Sequence, residues 1–324
     1  MISVVIPLFN KGSHIAKALQ SVFAQSYQDF EVIIVNDGST DRGPEIVRSV
    51  KDPRVTVIDQ LNAGVSMARN RGIEAARGEL LAFLDADDEW RPDFLATILR
   101  LHDRYPDAGL YASAYQILSR ANKMTDPRFK ALPSPPWEGI IPSYFRSAAL
   151  GMPPVWTSAS CAPLRVLVEV GGFKAGKRMG EDVDLWGRIA IRYPVAFSFQ
   201  KGAVYCKNAE NRACMVFRRQ DEHPFLETVE TWRGSENIPE KIKKDLELYI
   251  CRLRLENVRQ HVLAGNLERA RELSALIRSK WTFPIRQLLW GSYLNSITRI
   301  LWRLRYQLSH PGFSKYDREE PYQT

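Results

Sequence analysis

A cluster of carboxylates follows a short apolar run in the first third of the chain. Asp85, Asp87 and Asp88 come directly after residues 80–84, which read Leu-Leu-Ala-Phe-Leu. Hard divalent cations such as Mg2+ or Mn2+ prefer oxygen ligands, and they often take one or two protein carboxylates and leave their other positions to water and phosphate oxygens. The cluster is therefore typical of a site for a metal-bound diphosphate. An acidic turn that caps the next helix would have the same composition, so the cluster alone leaves both interpretations open.

Two further positions have chemistry that suits a nucleotide. Asp37 follows another apolar run, and its carboxylate can accept the imino hydrogen of a pyrimidine or guanine base, while Gly38 lets the backbone approach a ligand. Arg69 is always cationic, and its planar fork fits a base carbonyl or a diphosphate. Each residue also has a local explanation, an Asx turn for Asp37 and a surface cation for Arg69.

A third acidic position lies far along the chain, where Glu181 and Asp182 stand at a predicted helix start. The helix dipole favours negative charge there, so these residues can act as simple capping groups. The functional alternative is a general base that removes the proton from an attacking hydroxyl. A carboxylate placed for such a transfer contributes ~10² to 10⁴ in rate.

Alternating strands and helices position all of these residues. Strands are predicted over residues 4–8, 31–36, 55–58, 80–84 and 110–115. Helices are predicted over residues 13–25, 63–77, 93–105, 161–170 and 183–192, and a further helix begins at residue 43. This alternation predicts a Rossmann-like α/β fold, with a mostly parallel, twisted sheet and helices on both faces. The prolines between residues 133 and 154 predict an irregular loop over the site.

Beyond residue 239 the pattern changes to long helices. Two antiparallel helices, over residues 239–263 and 267–277, are separated by Gly265 and Asn266, and a third begins at about residue 284. Composition divides the chain into an α/β domain, a basic helical region and a tail that we expect to be disordered. Their respective bounds are residues 1–235, 236–310 and 311–324.

The helical region carries the basic charge of the chain. Residues 241–310 hold 14 Lys or Arg against 5 Asp or Glu, whereas residues 1–240 hold 29 of each. No recognition motif accompanies the charge, so we expect no nucleic-acid partner. The apolar stripe of the third helix favours packing within the chain or between copies of it, and peripheral contact with an anionic membrane is the alternative.

Composition excludes several other classes of protein. The chain has 324 residues, with 45% hydrophobic and 25% charged residues, which is ordinary for a globular protein. Its four cysteines form no CxxC pair, which argues against a zinc site or a disulfide framework. The chain shows neither a secretory leader nor a run of ~18 apolar residues. We therefore expect a cytoplasmic location, either free or peripheral on the inner face of the cell membrane.

Five segments in series, over residues 4–10, 35–41, 62–72, 83–88 and 180–186, resemble the family 2 glycosyltransferases of the GT-A fold. The resemblance implies an inverting reaction, with Mn2+ or Mg2+ as cofactor. It implies that Asp87 ligates the metal and that Asp182 is the catalytic base. Contacts to the nucleotide sugar are implied for Pro7, Asn10, Asp37, Arg69, Asp85 and Ala86. Acceptor or phosphate contacts are assigned to Glu181, Trp186 and Lys207.

Two features of the family are missing from this sequence. Members often carry a Tyr-Arg-x-His segment after the last strand, and residues 204–212 here read Val-Tyr-Cys-Lys-Asn-Ala-Glu-Asn-Arg. The Gln-x-x-Arg-Trp motif and the membrane spans of processive members are also absent from the sequence. Transfer of a single sugar is therefore expected rather than polymer synthesis.

The leading hypothesis is a metal-dependent glycosyltransferase that moves one sugar from a nucleotide-diphosphate sugar to a saccharide or lipid-linked acceptor. We expect a role in assembly of a polysaccharide, a lipopolysaccharide or another glycoconjugate. A non-catalytic nucleotide-sugar-binding scaffold is an alternative, because a site is evidence of binding before it is evidence of turnover. A sugar nucleotidyltransferase is less favoured, because residues 7–12 contain a single glycine instead of a Gly-rich loop.

Overall fold

The computed structural model describes residues 1–177, 179–210, 222–232, 238–275 and 277. Within this part of the chain, ten strands form one mixed sheet. The strands are β1 (Ile2–Leu8), β2 (Phe30–Asp37), β3 (Val55–Gln60), β4 (Leu80–Phe83), β5 (Glu89–Trp90), β6 (Leu110–Leu118), β7 (Met124–Thr125), β8 (Glu138–Ile140), β9 (Ser160–Pro163) and β10 (Val195–Cys206). The main path of the sheet runs in the order β3-β2-β1-β4-β9-β6-β10-β5, while β7 pairs with β6 and β8 with β10.

Helices cover the sheet and connect its strands. They are α1 (Ile15–Phe23), α2 (Gly43–Ser49), α3 (Val65–Ala75), α4 (Phe94–Arg104), α5 (Tyr144–Leu150), α6 (Leu164–Glu169), α7 (Glu181–Arg192), α8 (Pro224–Trp232), α9 (Glu240–Ala264) and α10 (Leu267–Ala275). A 3-10 turn over Thr157–Ala159 precedes β9. The α/β architecture that the sequence predicts is confirmed.

The parallel half of the sheet consists of β1 to β4. β1 pairs with β2 and β4, and β2 pairs with β3, all in parallel. β2 and β4 are buried at every position, and their near-continuous apolar runs suit strands that are covered on both faces. Because parallel strands end at the same edge of a sheet, the segments that follow β1, β2 and β4 lie together.

The second half of the sheet differs from the prediction at β9. The helix predicted over residues 161–170 is wrong at its start, because Ser160–Pro163 form a strand and the helix begins only at Leu164. β9 lies between β4 and β6 and runs antiparallel to both. A buried run this short has no period that separates strand from helix, so the pairing on both sides decides its structure.

The Pro-rich stretch also differs from the prediction. The prediction of an irregular loop over the site is wrong for much of residues 133–154, because this stretch contains β8 and α5. Ser143 caps α5 by accepting a hydrogen bond from the N–H of Arg146 at 3.3 Å. The ring of Phe145 is only 1% exposed, so α5 is part of the core.

The first C-terminal helices pack against the rest of the protein. Tyr249 of α9 lies 5.8 Å from both Phe145 and Phe225, measured between ring centroids, in one buried cluster. Gly265 ends α9 with a φ of 81°, at the break predicted before α10. The predicted third helix from residue 284 and the tail over 311–324 lie outside the described residues. Among the helices that the structure describes, none has the length and apolar character needed to span a membrane.

Candidate functional site

Asp37, the last residue of β2, is held by the start of the α3 segment. Its Oδ1 accepts hydrogen bonds from Gln60 Nε2 and from the N–H of Ala63, both at 2.8 Å, and its Oδ2 accepts one from the N–H of Gly64 at 2.9 Å. The side chain is almost buried. In the structure Asp37 therefore ties the ends of β2 and β3 to the N-terminus of α3, rather than to α2, the helix next to it in sequence. Each carboxylate oxygen has about two acceptor sites, so Oδ2 keeps capacity for one more donor.

Gly38 allows a close backbone approach. Its φ is 71°, and a Cβ at this position would lie 2.9 Å from the backbone nitrogen of Asn62. A larger residue would therefore clash with the segment that leads into α3. In the structure, the backbone that approaches Gly38 is this protein segment.

Asn10 connects the segments after β1 and β2. Its backbone N–H donates to Ser39 Oγ at 3.1 Å, and its side-chain Oδ1 accepts from the N–H of Thr40 at 2.8 Å. Its φ of 51° lies in the left-handed region, which Asn tolerates better than most residues. Pro7 lies one residue before the end of β1, half-buried at the same edge. The predicted donor contacts of Pro7 and Asn10 stay predictions.

Arg69 lies on α3 and bridges two acids from distant parts of the chain. One terminal nitrogen donates to Asp85 Oδ1 at 2.6 Å, and the other donates to Glu181 Oε1 at 2.8 Å. The guanidinium also lies 5.1 Å from the centroid of the Phe173 ring. Burial alone would lower the pKa of Arg69, but Asp85 and Glu181 raise it above its ordinary value. Arg69 is thus a permanent buried cation that neutralises carboxylates of the protein, rather than the surface cation of the simpler interpretation.

Asp87 is paired with a residue that the sequence did not single out. Lys11 Nζ donates to Asp87 Oδ2 at 2.6 Å and to the backbone carbonyl of Glu210 at 2.7 Å. The side chains of Lys11 and Asp87 are 13% and 15% exposed. One ammonium therefore joins the segments that follow β1, β4 and β10. Its only signal in the sequence is its place directly after the opening block of residues 4–10.

Asp88 is the buried member of the carboxylate cluster. Its two oxygens accept hydrogen bonds from Ser158 Oγ at 2.7 Å and from the N–H of Cys206 at 2.9 Å. Burial raises the pKa of Asp88 well above its ordinary value, and the charges of Asp87 and Asp85 raise it further. Asp88 therefore anchors the acidic segment to the end of β10, while Asp85 and Asp87 stay partly exposed.

Asp182 lies in the first turn of α7, as the sequence predicts. Its Oδ2 accepts a hydrogen bond from Thr157 Oγ1 at 3.0 Å, and its side chain is half-buried. Its neighbour Glu181 is nearly buried against Arg69. Burial raises the pKa of Glu181, the charge of Asp182 adds to that rise, and Arg69 opposes it. Through Arg69, the start of α7 is thus connected to Asp85, which brings the two predicted acidic positions together.

The remaining predicted contacts fall in different places. Trp186 is 1% exposed and lies 6.1 Å from Phe83 and from Phe173 between ring centroids. A direct acceptor contact from this core position is therefore not supported. Ala86 is buried within the acidic segment. Lys207 is half-buried beyond β10, with its Nζ 5.5 Å from the centroid of the Tyr205 ring.

The charges of the site fit a divalent cation bound together with phosphates. Five carboxylates, two of them partly exposed after β4, are gathered around the cations Arg69 and Lys11. The five are Asp85, Asp87, Asp88, Glu181 and Asp182. In the described part of the chain, no three His, Cys, Asp or Glu side chains surround a common metal position. Two carboxylates are nevertheless the usual protein contribution where phosphate oxygens complete the coordination of Mg2+.

Comparison with known sequences identifies the family. A family model described as Glycosyl transferase family 2 matches residues 3–166, slightly more than half of the chain. YibD of Escherichia coli K12, an uncharacterized glycosyltransferase, is 44% identical over 102 residues, which are 31% of this chain and 30% of YibD. The glycosyltransferase GlyA of Streptococcus pneumoniae is 39% identical over 101 residues, which are 31% of this chain and 14% of GlyA. The alignments thus span less than a third of these relatives' own lengths.

Solved structures share the fold over most of the chain. TarS of Staphylococcus aureus, residues 1–349 in complex with UDP-GlcNAc, matches with a TM-score of 0.63 at 19% identity, covering 85% of this chain and 83% of that 1–349 chain. The mannosyltransferase PcManGT of Pyrobaculum calidifontis, in complex with GDP-Man and Mn2+, matches with a TM-score of 0.60 at 19% identity, covering 91% of this chain and 80% of the PcManGT chain. At this identity the likeness establishes the fold, and the predicted GT-A type is confirmed.

Proposed function

Because this chain belongs to glycosyl transferase family 2, we propose that it is a metal-dependent, inverting enzyme that moves a single sugar from a nucleoside diphosphate sugar to an acceptor hydroxyl. The observation that carries the proposal is the convergence of Asp85, Asp87 and Asp182 at one edge of the sheet. Arg69 joins Asp85 to Glu181, the residue before Asp182, so the acids that follow β4 lie close to the start of α7. An acidic turn that only caps the next helix would not need an ion-pair connection to the start of α7.

On the donor side, Asp37 is the proposed contact to the nucleotide base. Its carboxylate is already fixed by three hydrogen bonds from the protein, so a base would meet a preformed acceptor. Preorganisation of this kind reduces the entropy that binding must overcome. Pro7 and Asn10 are proposed to contact the nucleotide sugar at the same edge of the sheet. Asp85 is proposed to bind the ribose or to lie near the metal.

Asp87 is the proposed ligand of Mn2+ or Mg2+. A bound divalent cation would stabilise the negative charge that develops on the departing nucleoside diphosphate. In the described structure Lys11 holds the Asp87 carboxylate with its ammonium group, so that part of the site already binds a positive charge. Ser158 accepts a hydrogen bond from the N–H of Asp85 and donates one to Asp88, and it thereby fixes the backbone of the segment that carries Asp85 and Asp87.

Asp182 is the proposed general base. It would take the proton of the acceptor hydroxyl as the hydroxyl oxygen bonds to the anomeric carbon and the bond from that carbon to the diphosphate oxygen breaks. Attack from the face opposite the leaving group inverts the anomeric configuration. The half-buried position of Asp182 at the first turn of α7 leaves it accessible to an acceptor. Glu181 is too deeply buried against Arg69 to share this role.

The acceptor is proposed to be a saccharide or a lipid-linked saccharide of a surface polysaccharide or glycoconjugate. The surplus of Lys and Arg in residues 241–310 supports peripheral contact with an anionic membrane from the cytoplasmic side. Flotation with anionic vesicles tests this contact: co-flotation at low salt that is lost at high salt supports it, whereas no association at low salt rules it out.

The proposed activity is tested by nucleoside diphosphate release from a panel of UDP, GDP and dTDP sugars, with and without a mixture of saccharide acceptors. Each donor is assayed with Mn2+, with Mg2+ and with EDTA. Asp87→Ala is the test variant, and Asp126→Ala is the control because Asp126 is an exposed carboxylate paired with Lys201. We expect one class of donor to be consumed only with metal, by the wild type and the control but not by Asp87→Ala.

Three results would contradict the proposal. Failure of every donor to bind or react would remove the glycosyltransferase assignment. Release of pyrophosphate from a nucleoside triphosphate and a sugar phosphate would indicate a nucleotidyltransferase instead. Tight donor binding without turnover in any acceptor mixture would favour the scaffold alternative.

A further inference from the structure

Two adjacent hydroxyl residues link the acidic segment after β4 to the proposed base, Asp182. Thr157 and Ser158 form the first two positions of the 3-10 turn before β9, and they are only 1% and 0% exposed. Ser158 Oγ accepts a hydrogen bond from the N–H of Asp85 at 3.1 Å and donates one to Asp88 Oδ2 at 2.7 Å. Thr157 Oγ1 donates to Asp182 Oδ2 at 3.0 Å. The same turn therefore contacts both groups of acids.

The turn is itself fixed from two sides. Trp90 Nε1 donates to the carbonyl oxygen of Ser158 at 2.7 Å, and Ser160 Oγ donates to the carbonyl oxygen of Thr157 at 2.8 Å. The ring of Trp90 is buried, so its indole N–H is a fixed anchor. Because the carbonyl oxygens of both Thr157 and Ser158 are held by side chains, the two hydroxyls have little freedom to leave their carboxylate partners.

We propose that this turn is a positioning device, in which Thr157 orients the carboxylate of Asp182 towards the acceptor while Ser158 holds the acidic segment that binds the donor. The inference rests on the proposed function and adds to it two positioning residues, neither of which was identified from the sequence. Thr157 donates to Oδ2 of Asp182 and the N–H of Val183 donates to Oδ1 at 2.7 Å, so the plane of the carboxylate is fixed while each oxygen keeps a lone pair for a further proton. Small misplacements of a reacting group lower rates steeply, by about 100-fold for a displacement of 1 Å.

The two residues have different expected kinetic effects, although they are neighbours. Thr157→Val keeps the shape of the side chain but removes the donor to Asp182, so we expect kcat to fall by about 10- to 100-fold with the Kd of the donor nearly unchanged. Ser158→Ala removes the contacts to Asp85 and Asp88 and should weaken binding of the donor and of Mn2+. Thr157→Ser restores the donor group and should restore most of the lost kcat.

The chain offers a matched control in Thr97 of α4. Thr97 is fully buried, and its Oγ1 has no hydrogen-bond partner among the described residues. Thr97→Val therefore makes the same isosteric change in the core without removing a contact to the site. We expect wild-type kcat and donor affinity for this variant. Thermal unfolding of all variants separates a loss of fold from a loss of positioning.

The experiment measures kcat by sugar transfer, donor Kd by calorimetry and Mn2+ binding by electron paramagnetic resonance. A Thr157→Val enzyme that keeps at least half of the wild-type kcat would overturn the inference, as would a Thr157→Ser enzyme as impaired as Thr157→Val. If the valine variant does not fold, Thr157→Ala replaces it in the comparison with Thr157→Ser. Lack of transfer by the wild type itself would instead refute the proposed function, so the two failures are distinguishable.

Discussion

The two sides of the site are held together by contacts of very different range. On the donor side, Asp37 is fixed by groups that lie 23 to 27 residues further along the chain, all at the junction of β3 and α3. On the other side, Arg69 and Glu181 are 112 residues apart, and Asp88 and Cys206 are 118 residues apart. A local βαβ unit therefore builds the side of the site that we propose for the nucleotide, whereas the side proposed for sugar transfer depends on contacts across the whole tertiary structure. Damage to the second side should consequently cost more stability than damage to the first.

The largest loss of stability is expected when Arg69 is removed. Arg69→Met leaves Asp85 and Glu181 without their shared cation, and we expect the free energy of unfolding to fall by about 3 kcal/mol, since the loss of one partner from a buried pair is strongly destabilising. Denaturation by urea at neutral pH measures the change. Arg71→Met is the control on the same helix, because the Arg71–Glu74 pair is exposed and should contribute less than ~0.5 kcal/mol. Equal effects of the two changes would show that the Arg69 bridge is not a major tertiary contact.

On the donor side, Asp37→Asn should have a smaller effect on stability. The amide keeps one oxygen but turns an NH2 group towards a backbone N–H, which leaves a buried donor unsatisfied and costs about 1 to 3 kcal/mol. We also expect a higher KM for the donor with little change in kcat at saturation. Asp59→Asn, an exposed change on β3, is the matched control. A fall in kcat at unchanged KM would place Asp37 on the transfer side and remove the distinction.

The smallest effect is expected from Lys11→Met, because Lys11 connects the segment after β1 to Asp87 of the acidic segment. Without the ammonium beside Asp87, Mn2+ no longer competes with a protein cation, so its affinity in the absence of donor should rise about two- to fivefold, the range that a partly exposed ion pair supports. Titration of Mn2+ followed by electron paramagnetic resonance measures it. Lys17→Met, a change at an exposed residue of α1, should leave the affinity unaltered. Weaker Mn2+ binding by Lys11→Met would mean that Lys11 supports the metal rather than competing with it.

The same difference in range explains what the sequence could predict. Apolar runs bounded by Gly, Pro and Asp were sufficient to locate β1 to β4, and the residues that follow two of those runs gave Asp37, Asp85 and Asp87. A block at a helix start likewise indicated Asp182, which α7 presents in its first turn. These are local signals, because a strand end or a helix start can be recognised within about ten residues.

Contacts between residues that are far apart in the sequence could not be predicted from such local signals. Lys11 meets Asp87 from 76 residues away, and Ser158 meets Asp88 from 70, so nothing near either residue in sequence marks the contact. β9 was missed for the same reason, since its strand conformation comes from β4 and β6 on either side. The burial of Trp186 could not be predicted either, because a sequence block shows that a residue is near Asp182 without showing that its side chain packs in the core.

The role of Asp182 is tested most directly by measuring donor binding and sugar transfer on one preparation of Asp182→Asn. We predict that this variant binds the nucleotide sugar and Mn2+ with wild-type affinity while kcat falls by ~10² to 10⁴, the contribution of a well-placed general base. Transfer at the wild-type rate would contradict this prediction, because Asp182, which accepts a hydrogen bond from Thr157 at the start of α7, would then not be the base.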